Sequence, residues 1–419
     1  MEKAQRLSFG PETTDLYETI DVGRMRDERA ARAREIMRQR GVPALLVTGN
    51  DNVRYLTGFW WSDFQQSICY ALFFVDHDPV VFAHAGSLQQ GPDQQPWIKE
   101  WRVGRSWMGG LPGEAATVEE VSRWTQDIVG ELKDRGLSGE PLGVIDFDWR
   151  AWEALKNEGL SVFDGSEILL EASKVKTRDE INCLKMTVTA SARGFQRAVH
   201  TIRPGVRQSE VTGAMVGAMS EINTGSLEPR AMCFSGPLGF ERGLSGGDRI
   251  IEYGDFGYVL TCGTAYMGYT CCQYRTYFLG KPSAREKGWY DSLRDKLDAV
   301  MEACRPGNTT ADVAKHFDPA TKWGYTDEAE VLSIEWAHGV GLVSLDSRWT
   351  HNNLPAINRQ WSLEHPQEIV PGMVIATEGI EGEHRVGGVR LERMLLVTEN
   401  GPQMLDSFPY DDMLEIPAW

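Results

Sequence analysis

Residues 373–378 read Met-Val-Ile-Ala-Thr-Glu, and residues 389–398 read Val-Arg-Leu-Glu-Arg-Met-Leu-Leu-Val-Thr. Both runs are rich in the apolar and β-branched residues that form buried strands. Each nevertheless carries a carboxylate, Glu378 at the end of the first and Glu392 inside the second. A carboxylate in an apolar strand is expensive to bury unless a cation, a metal or a proton meets it. A third ionisable group, His338, lies in Trp336-Ala337-His338-Gly339-Val340-Gly341, where the glycines permit close approach of backbone to a ligand. One such residue is ordinarily half of an ion pair. Three of them, each on a strand or beside glycine, point to a chemical centre.

Working outward, residues 173–200 read as one long amphipathic helix, followed by a second helix over 208–222. Strand signals come at 258–262 and 272–279, with glycines between them, and another helix covers about 285–304. A helix followed by Arg-Pro-Gly occurs twice, at 203–205 and 305–307, a hint of internal duplication. Nearer the N-terminus the pattern alternates. A helix is expected over 24–40, a strand over 43–49, a polar turn at Asn50–Asn52, and a hairpin from 70–76 and 79–84 split by His77-Asp78. A helix near 117–135, a strand over 142–147 and a helix near 149–158 complete that half. The pattern predicts an α/β domain over residues 1–170 and an α+β domain over 171–419, with no low-complexity linker between them.

Composition narrows the function. The 419 residues are 42% apolar and 25% charged, as in ordinary globular proteins. Sixty acidic side chains against 43 basic ones leave a formal charge of −17, which repels polyanions, so neither nucleic acid nor an anionic membrane is an expected partner. There is no apolar signal-like segment at the start and no run of roughly 18 apolar residues, so a cytoplasmic location is expected. The seven cysteines (Cys69, Cys183, Cys233, Cys262, Cys271, Cys272 and Cys304) are odd in number and irregularly spaced, which reads as reduced thiols and not as a disulfide framework. Fourteen tryptophans are an excess that suggests aromatic-lined surfaces, either core or pocket.

Taken in order, the motifs are Gly254-Asp255, Gly268-Tyr269, Arg275-Thr276, Leu279-Gly280, His338-Gly339-Val340-Gly341, Pro371-Gly372-Met373 with Glu378, and Val389-Arg390-Leu391-Glu392 with Val397–Gly401. This series resembles the creatinase/prolidase/methionine-aminopeptidase superfamily, the pita-bread fold. Residues 45–58 (LLVTGNDNVRYLTG) resemble the smaller N-terminal domain of creatinase and prolidase. The resemblance implies an α/β N-terminal domain, a pita-bread catalytic domain and a homodimer. In the superfamily's peptidases it also implies two divalent metals held by two Asp, one His and two Glu. His338, Glu378 and Glu392 match the last three. The Asp positions fall on Thr261, or its neighbour Cys262, and on Cys272. Neither a hydroxyl nor one thiolate replaces bridging carboxylates, so a metal pair is not expected. A single divalent metal on His338, Glu378 and Glu392, perhaps with Cys272, is the minority alternative.

The creatinase-like members imply a metal-free hydrolysis in which Glu carboxylates hold a cationic group and histidine moves the proton. The histidine those members carry ahead of Gly-Asp is missing here; Glu241 and Arg242 stand nearest. A second resemblance, through Glu228-Pro229-Arg230, Ser235-Gly236-Pro237 and Phe408-Pro409-Tyr410, is to the superfamily's dimethylsulfoniopropionate lyase, though its base position falls on Ser344, with Asp346 two residues on. Expected substrate-binding residues are Trp60, Trp61, Trp336 and Trp349, whose faces attract cations, with Tyr258, Glu241, Arg348 and His351. The expectation is therefore an enzyme without cofactor that hydrolyses a C–N bond of a small cationic or zwitterionic compound. A C–S lyase, a metal-dependent Xaa-Pro aminopeptidase and a non-catalytic scaffold are the alternatives.

Overall fold

The N-terminal apolar segments build a six-stranded sheet from β1 (Ala44–Thr48), β2 (Tyr70–Phe74), β3 (Val80–Ala83), β4 (Glu100–Val103), β5 (Leu142–Ile145) and β6 (Val162–Asp164), in the order β4-β3-β2-β1-β5-β6. The computed structural model describes residues 19–60, 68–222, 230–237, 249–331, 334–342, 353–383, 385–406 and 408–417, except the side chains of 263 and 264. The chain divides into two units, one built on Val22–Ser173 and the other on Lys174–Gly341 with the C-terminal stretch.

In the first unit the helices are α1 (Val22–Arg40), α2 (Asn50–Thr57), α3 (Ala85–Gln94), α4 (Glu114–Asp134), α5 (Trp149–Asn157) and α6 (Ser166–Lys174). β1 pairs antiparallel with β2 and parallel with β5, so the sheet is mixed. The core packs Leu46, Leu72, Phe74 and Val144 against Trp124, Ile128 and Leu132 of α4. Trp107 and Trp124 meet edge to face there, so part of the tryptophan excess is simply core. The hairpin expected around His77-Asp78 is present, with Tyr70 opposite Phe82. The expected polar turn at Asn50–Asn52 is instead the first turn of α2. Gly49, at φ 88°, takes the left-handed conformation that lets the chain leave β1 and enter a helix at once.

The expected helix over 173–200 is in fact two helices. α6 ends at Lys174, and α7 (Arg178–Thr201) starts afresh behind a capping box in which Thr177 and Glu180 exchange hydrogen bonds. Next come α8 (Gln208–Ser220), β7 (Ala231–Ser235), β8 (Phe256–Tyr266), β9 (Tyr269–Leu279), α9 (Ala284–Ala303), α10 (Thr310–Ala314), β10 (Trp336–Gly339), β11 (Ala356–Ile357), α11 (Arg359–Ser362), β12 (Val374–Glu383), β13 (Gly387–Thr398), β14 (Gly401–Met404) and β15 (Leu414–Ile416). Met267 and Gly268, at φ 53° and 85°, form the two-residue connection of the β8–β9 hairpin.

The strands of this second unit form one nine-stranded sheet with the path β11-β10-β12-β13-β9-β8-β7. Helices cover one face of it. Phe195 and Ala198 of α7 and Met215 and Met219 of α8 pack on Val259, Tyr277 and Leu279. Tyr290, Leu293, Leu297 and Val300 of α9 pack on Ile375, Leu391 and Leu395. Because side chains alternate along a strand, every second residue of β8, β9, β12 and β13 is sent to the opposite face. The site lies on that opposite face.

Candidate active site

Five strands converge on a small group of ionisable side chains. β10 pairs with β12 and β12 with β13, so that Trp336 stands opposite Glu378 and Glu378 opposite Glu392, while β13 meets β9 with Glu392 opposite Tyr274. Register alone therefore brings together residues more than a hundred positions apart. Glu378 is not at the end of its strand, as expected, but in the middle of a ten-residue one. Its carboxylate accepts a hydrogen bond from the Trp336 indole N–H through Oε1, and its Oε2 lies 3.9 Å from Arg390 Nη2. His338 Nε2 lies 3.4 Å from Glu392 Oε1, and its Nδ1 is 3.0 Å from the Gly339 carbonyl, which places a proton on Nδ1. His338, Glu378, Glu392 and Arg390 are all at most 1% exposed.

The two carboxylates are served unequally. Glu378 has the indole and the guanidinium. Neither oxygen of Glu392 has a hydrogen bond of good geometry among the described residues; the imidazole lies 3.4 Å away and the Cys272 sulfur within 4.8 Å. Burial raises the Glu392 pKa, the Glu378 charge adds to that, and His338 and Cys272 pull it partly back. Burial draws the His338 pKa down, but Glu392, the Gly339 carbonyl and Glu378 outweigh it and leave it above its ordinary value. Both groups thus hold a proton more tightly than usual, and they form one acid–base pair.

Arg390 was not among the expected site residues. Its guanidinium is 5.4 Å from the Tyr258 ring centre and 5.2 Å from that of Tyr274. The signal that would have found it is alternation, since Arg390 is two residues before Glu392 and shares its face. Tyr258, expected to bind substrate, is in this cluster, 2% exposed and stacked on Phe234. Tyr274 is the other missed residue. Burial, then the Glu378, Cys272 and Glu392 charges, hold its phenol well above the ordinary value.

The expected Asp positions divide. Thr261 faces the helices, where its hydroxyl bonds Ser191 of α7, so it is not a site residue. The reason is again alternation: the register sets Cys262, not Thr261, directly across from Cys272. The Cys262 and Cys272 sulfurs are 2.9 Å apart. Cys272 in turn places its sulfur within 4.8 Å of donor atoms of His338 and Glu392. Burial, then the neighbouring Cys262 and the two carboxylates, keep the Cys272 thiol pKa well above 9.0. Its sequence neighbour Cys271 points the other way, to the Thr187 carbonyl of α7.

The donors fit metals differently. For two divalent ions they do not fit, because thiols in mutual contact stand where bridging carboxylates are needed and Glu378 already faces Arg390. Cys272, His338 and Glu392 supply one sulfur, one nitrogen and one carboxylate, a set with room for a single zinc-like ion.

Trp336 joins the cluster, its ring 5.0 Å from that of His338. Trp60 belongs to the N-terminal unit, where it lines a cavity of about 470 Å³ with Phe59, His84, Gln95 and Trp97, and Arg54 already lies 5.5 Å from its ring centre. Trp61, Glu241, Arg348, Trp349 and His351 lie outside the described residues. No helix of the described residues is long and apolar enough to cross a membrane.

Comparison with known proteins agrees with this architecture. Residues 182–399 match metallopeptidase family M24, and residues 29–171 match the creatinase/prolidase N-terminal domain. Creatinase of Bacillus sp. (strain B-0618) is 24% identical over 417 residues, covering 91% of this chain and 90% of that protein. An Xaa-Pro dipeptidase of Pyrococcus furiosus is 27% identical over 248 residues, covering 57% of this chain and 65% of its own. Among solved structures, dipeptidase PepE from Mycobacterium ulcerans superposes with a TM-score of 0.74 at 21% identity, covering 95% of this chain and 99% of that one. The Xaa-Pro dipeptidase from Bacillus anthracis gives 0.72 at 20%, covering 93% and 99%.

Proposed function

The chain belongs to metallopeptidase family M24, with a creatinase/prolidase N-terminal domain ahead of a pita-bread domain, and from that premise we propose that it is a metal-independent hydrolase acting on a C–N bond of a small cationic or zwitterionic compound. The observation that carries this reading is the Cys262–Cys272 contact where the family resemblance leads one to expect two metal-binding aspartates. With Arg390 facing Glu378 and the His338 imidazole beside Glu392, the cluster meets its carboxylates with its own side chains.

In this reading His338 and Glu392 handle the proton. A water attacks the electrophilic carbon and gives its proton to the pair, and the imidazolium returns a proton to the departing nitrogen, so that one C–O bond forms as one C–N bond breaks. Glu392, whose oxygens lack good hydrogen bonds among the described residues, also faces the substrate's positive group. Glu378 is a positioning residue, fixed by Trp336 and Arg390, that keeps the local field negative. The protein works as a homodimer in the cytoplasm on a small molecule.

A second reading is favoured by one observation, the Cys272–His338–Glu392 donor set. Those three residues would hold a single ion, which when bound supplies a Lewis acid. One experiment separates the readings. Purified protein is analysed for transition metals, and turnover is screened over guanidines, betaines, N-methylated amino acids and Xaa-Pro dipeptides, with and without Mn²⁺. Less than about 0.1 equivalent of metal with turnover of a guanidine or methylated amino acid is expected. Two tightly bound equivalents, or proline release that depends on Mn²⁺, would overturn the proposal.

A further inference from the structure

We propose that Cys262 and Cys272 are a redox-modification site, in which a peroxide-class oxidant joins the two thiols into a disulfide across the β8–β9 hairpin. The inference stands on strand geometry. The two residues are direct partners in the antiparallel register. The Cys262 N–H donates to the Arg230 carbonyl, away from β9, so Cys262 and Cys272 form a non-hydrogen-bonded pair. Such pairs bring Cα atoms to about 4.5 Å and side chains closest, within the span a disulfide bridges. The sulfurs are already at 2.9 Å on the same face.

The other cysteines show why this pair is distinct. Cys271, adjacent in sequence to Cys272, is turned to α7 by alternation and is 0% exposed. Cys183 and Cys304 are fully buried within helical packing, and Cys304 donates to the Val300 carbonyl. Cys262 is the one cysteine that is not fully buried. It is therefore the sulfur an oxidant reaches, and Cys272 is the resolving partner beside it.

The chemistry balances. Hydrogen peroxide oxidises the Cys262 thiol to a sulfenic acid and leaves as water. The Cys272 sulfur then attacks the sulfenic sulfur, forming the S–S bond and expelling a second water, so two thiols lose two hydrogens to one peroxide. Oxidation draws the Cys272 sulfur toward Cys262 and removes its S–H from beside His338 and Glu392. It thereby couples oxidant exposure to the acid–base pair. The effect on turnover rests on the function proposed above; the disulfide does not.

The test uses the full chain, and its primary readout is independent of activity. Protein is exposed to hydrogen peroxide, denatured, alkylated and digested with trypsin. Cleavage after Arg249 and Arg275 yields one peptide, 250–275, that contains Cys262, Cys271 and Cys272. The expected peptide carries alkyl on Cys271 only and lacks two hydrogens. Total thiols fall from seven to five, since two are consumed, and dithiothreitol restores both readings. Cys262→Ser prevents the loss, and Cys271→Ser leaves it intact. Alkylation of all three cysteines after oxidation, or a two-thiol loss that survives Cys262→Ser, would overturn the proposal. Formation of the disulfide with unchanged turnover would confirm the modification and count against the function proposed above.

Discussion

One strand, β12, sends carboxylates into two clusters, one half-buried and one fully buried, and the two are built differently. Glu381 goes to the helix-covered face, where Lys296 of α9 lies 3.5 Å away and Lys322 2.5 Å away. Lys296 also contacts Asp318 and reaches Glu335 at 2.5 Å, and the second Glu335 oxygen accepts the Asp318 amide at 2.6 Å. Every carboxylate there meets a cation or an N–H. Glu378 goes to the other face, into a cluster whose central carboxylate, Glu392, lacks good hydrogen bonds among the described residues at zero exposure. A buried polar group left in that state costs about 1–3 kcal/mol. In the function proposed above, such a group, beside a second cluster of the same residue types fully satisfied, is kept for chemistry at the expense of stability.

This contrast can be broken by experiment. The largest effect belongs to His338→Ala, which lowers turnover per folded molecule of the substrate found in the screen by about 10²–10⁴-fold; full retained activity would remove His338 from the mechanism. Lys296→Met acts on the other cluster. It takes the cation from buried Glu335, while Glu381 and Asp318 keep Lys322, and lowers stability by about 1–3 kcal/mol in urea unfolding, with turnover per folded molecule unchanged. Glu392→Gln should show the reverse, with turnover down about 10²-fold and stability within about 1 kcal/mol of wild type. Equal stability losses in the last two variants would erase the distinction.

The smallest effect is in the pH dependence of stability. Burial lifts Glu335 to about 7, against the pull of Lys296 and the Asp318 amide. A folded pKa above the unfolded one means the folded state binds the proton more tightly. The resulting stability is fully present below about 4.5 and is lost as pH rises through about 7. Urea midpoints of wild type and Glu335→Gln across pH 4.5–8 check this; the variant should show the flatter profile, and parallel profiles would contradict it.

Much of this was legible along the chain. The long periodic elements, α1, α4, α8, α9, β12 and β13, follow hydrophobic patterning, which a local window can register. The break between α6 and α7 was hidden because both sides carry the same amphipathic pattern and only the Thr177–Glu180 capping box separates them. α2 was hidden because Asn50–Asn52 are turn formers that a helix tolerates in its first turn. His338, Glu378 and Glu392 stood out because a charge in an apolar strand is conspicuous. Arg390, in the same strand as Glu392, was passed over because arginine next to glutamate reads as ordinary pairing, and Tyr274 because tyrosine in a strand is common.

The sequence by itself determined the strands and singled out the three ionisable residues of the candidate site, since these depend on local periodicity and on residue type. Only the tertiary structure decided which thiol faces which. Between Thr261 and Cys262 the sequence left one residue of slack, and in a strand one residue is the difference between the two faces of a sheet. That choice is set by the register of β8 against β9, which joins residues across a hairpin and, through strand pairing by way of β13 and β12, on to β10. The sulfur pair beside His338 and Glu392 is therefore a property of the folded sheet and of no single stretch of chain.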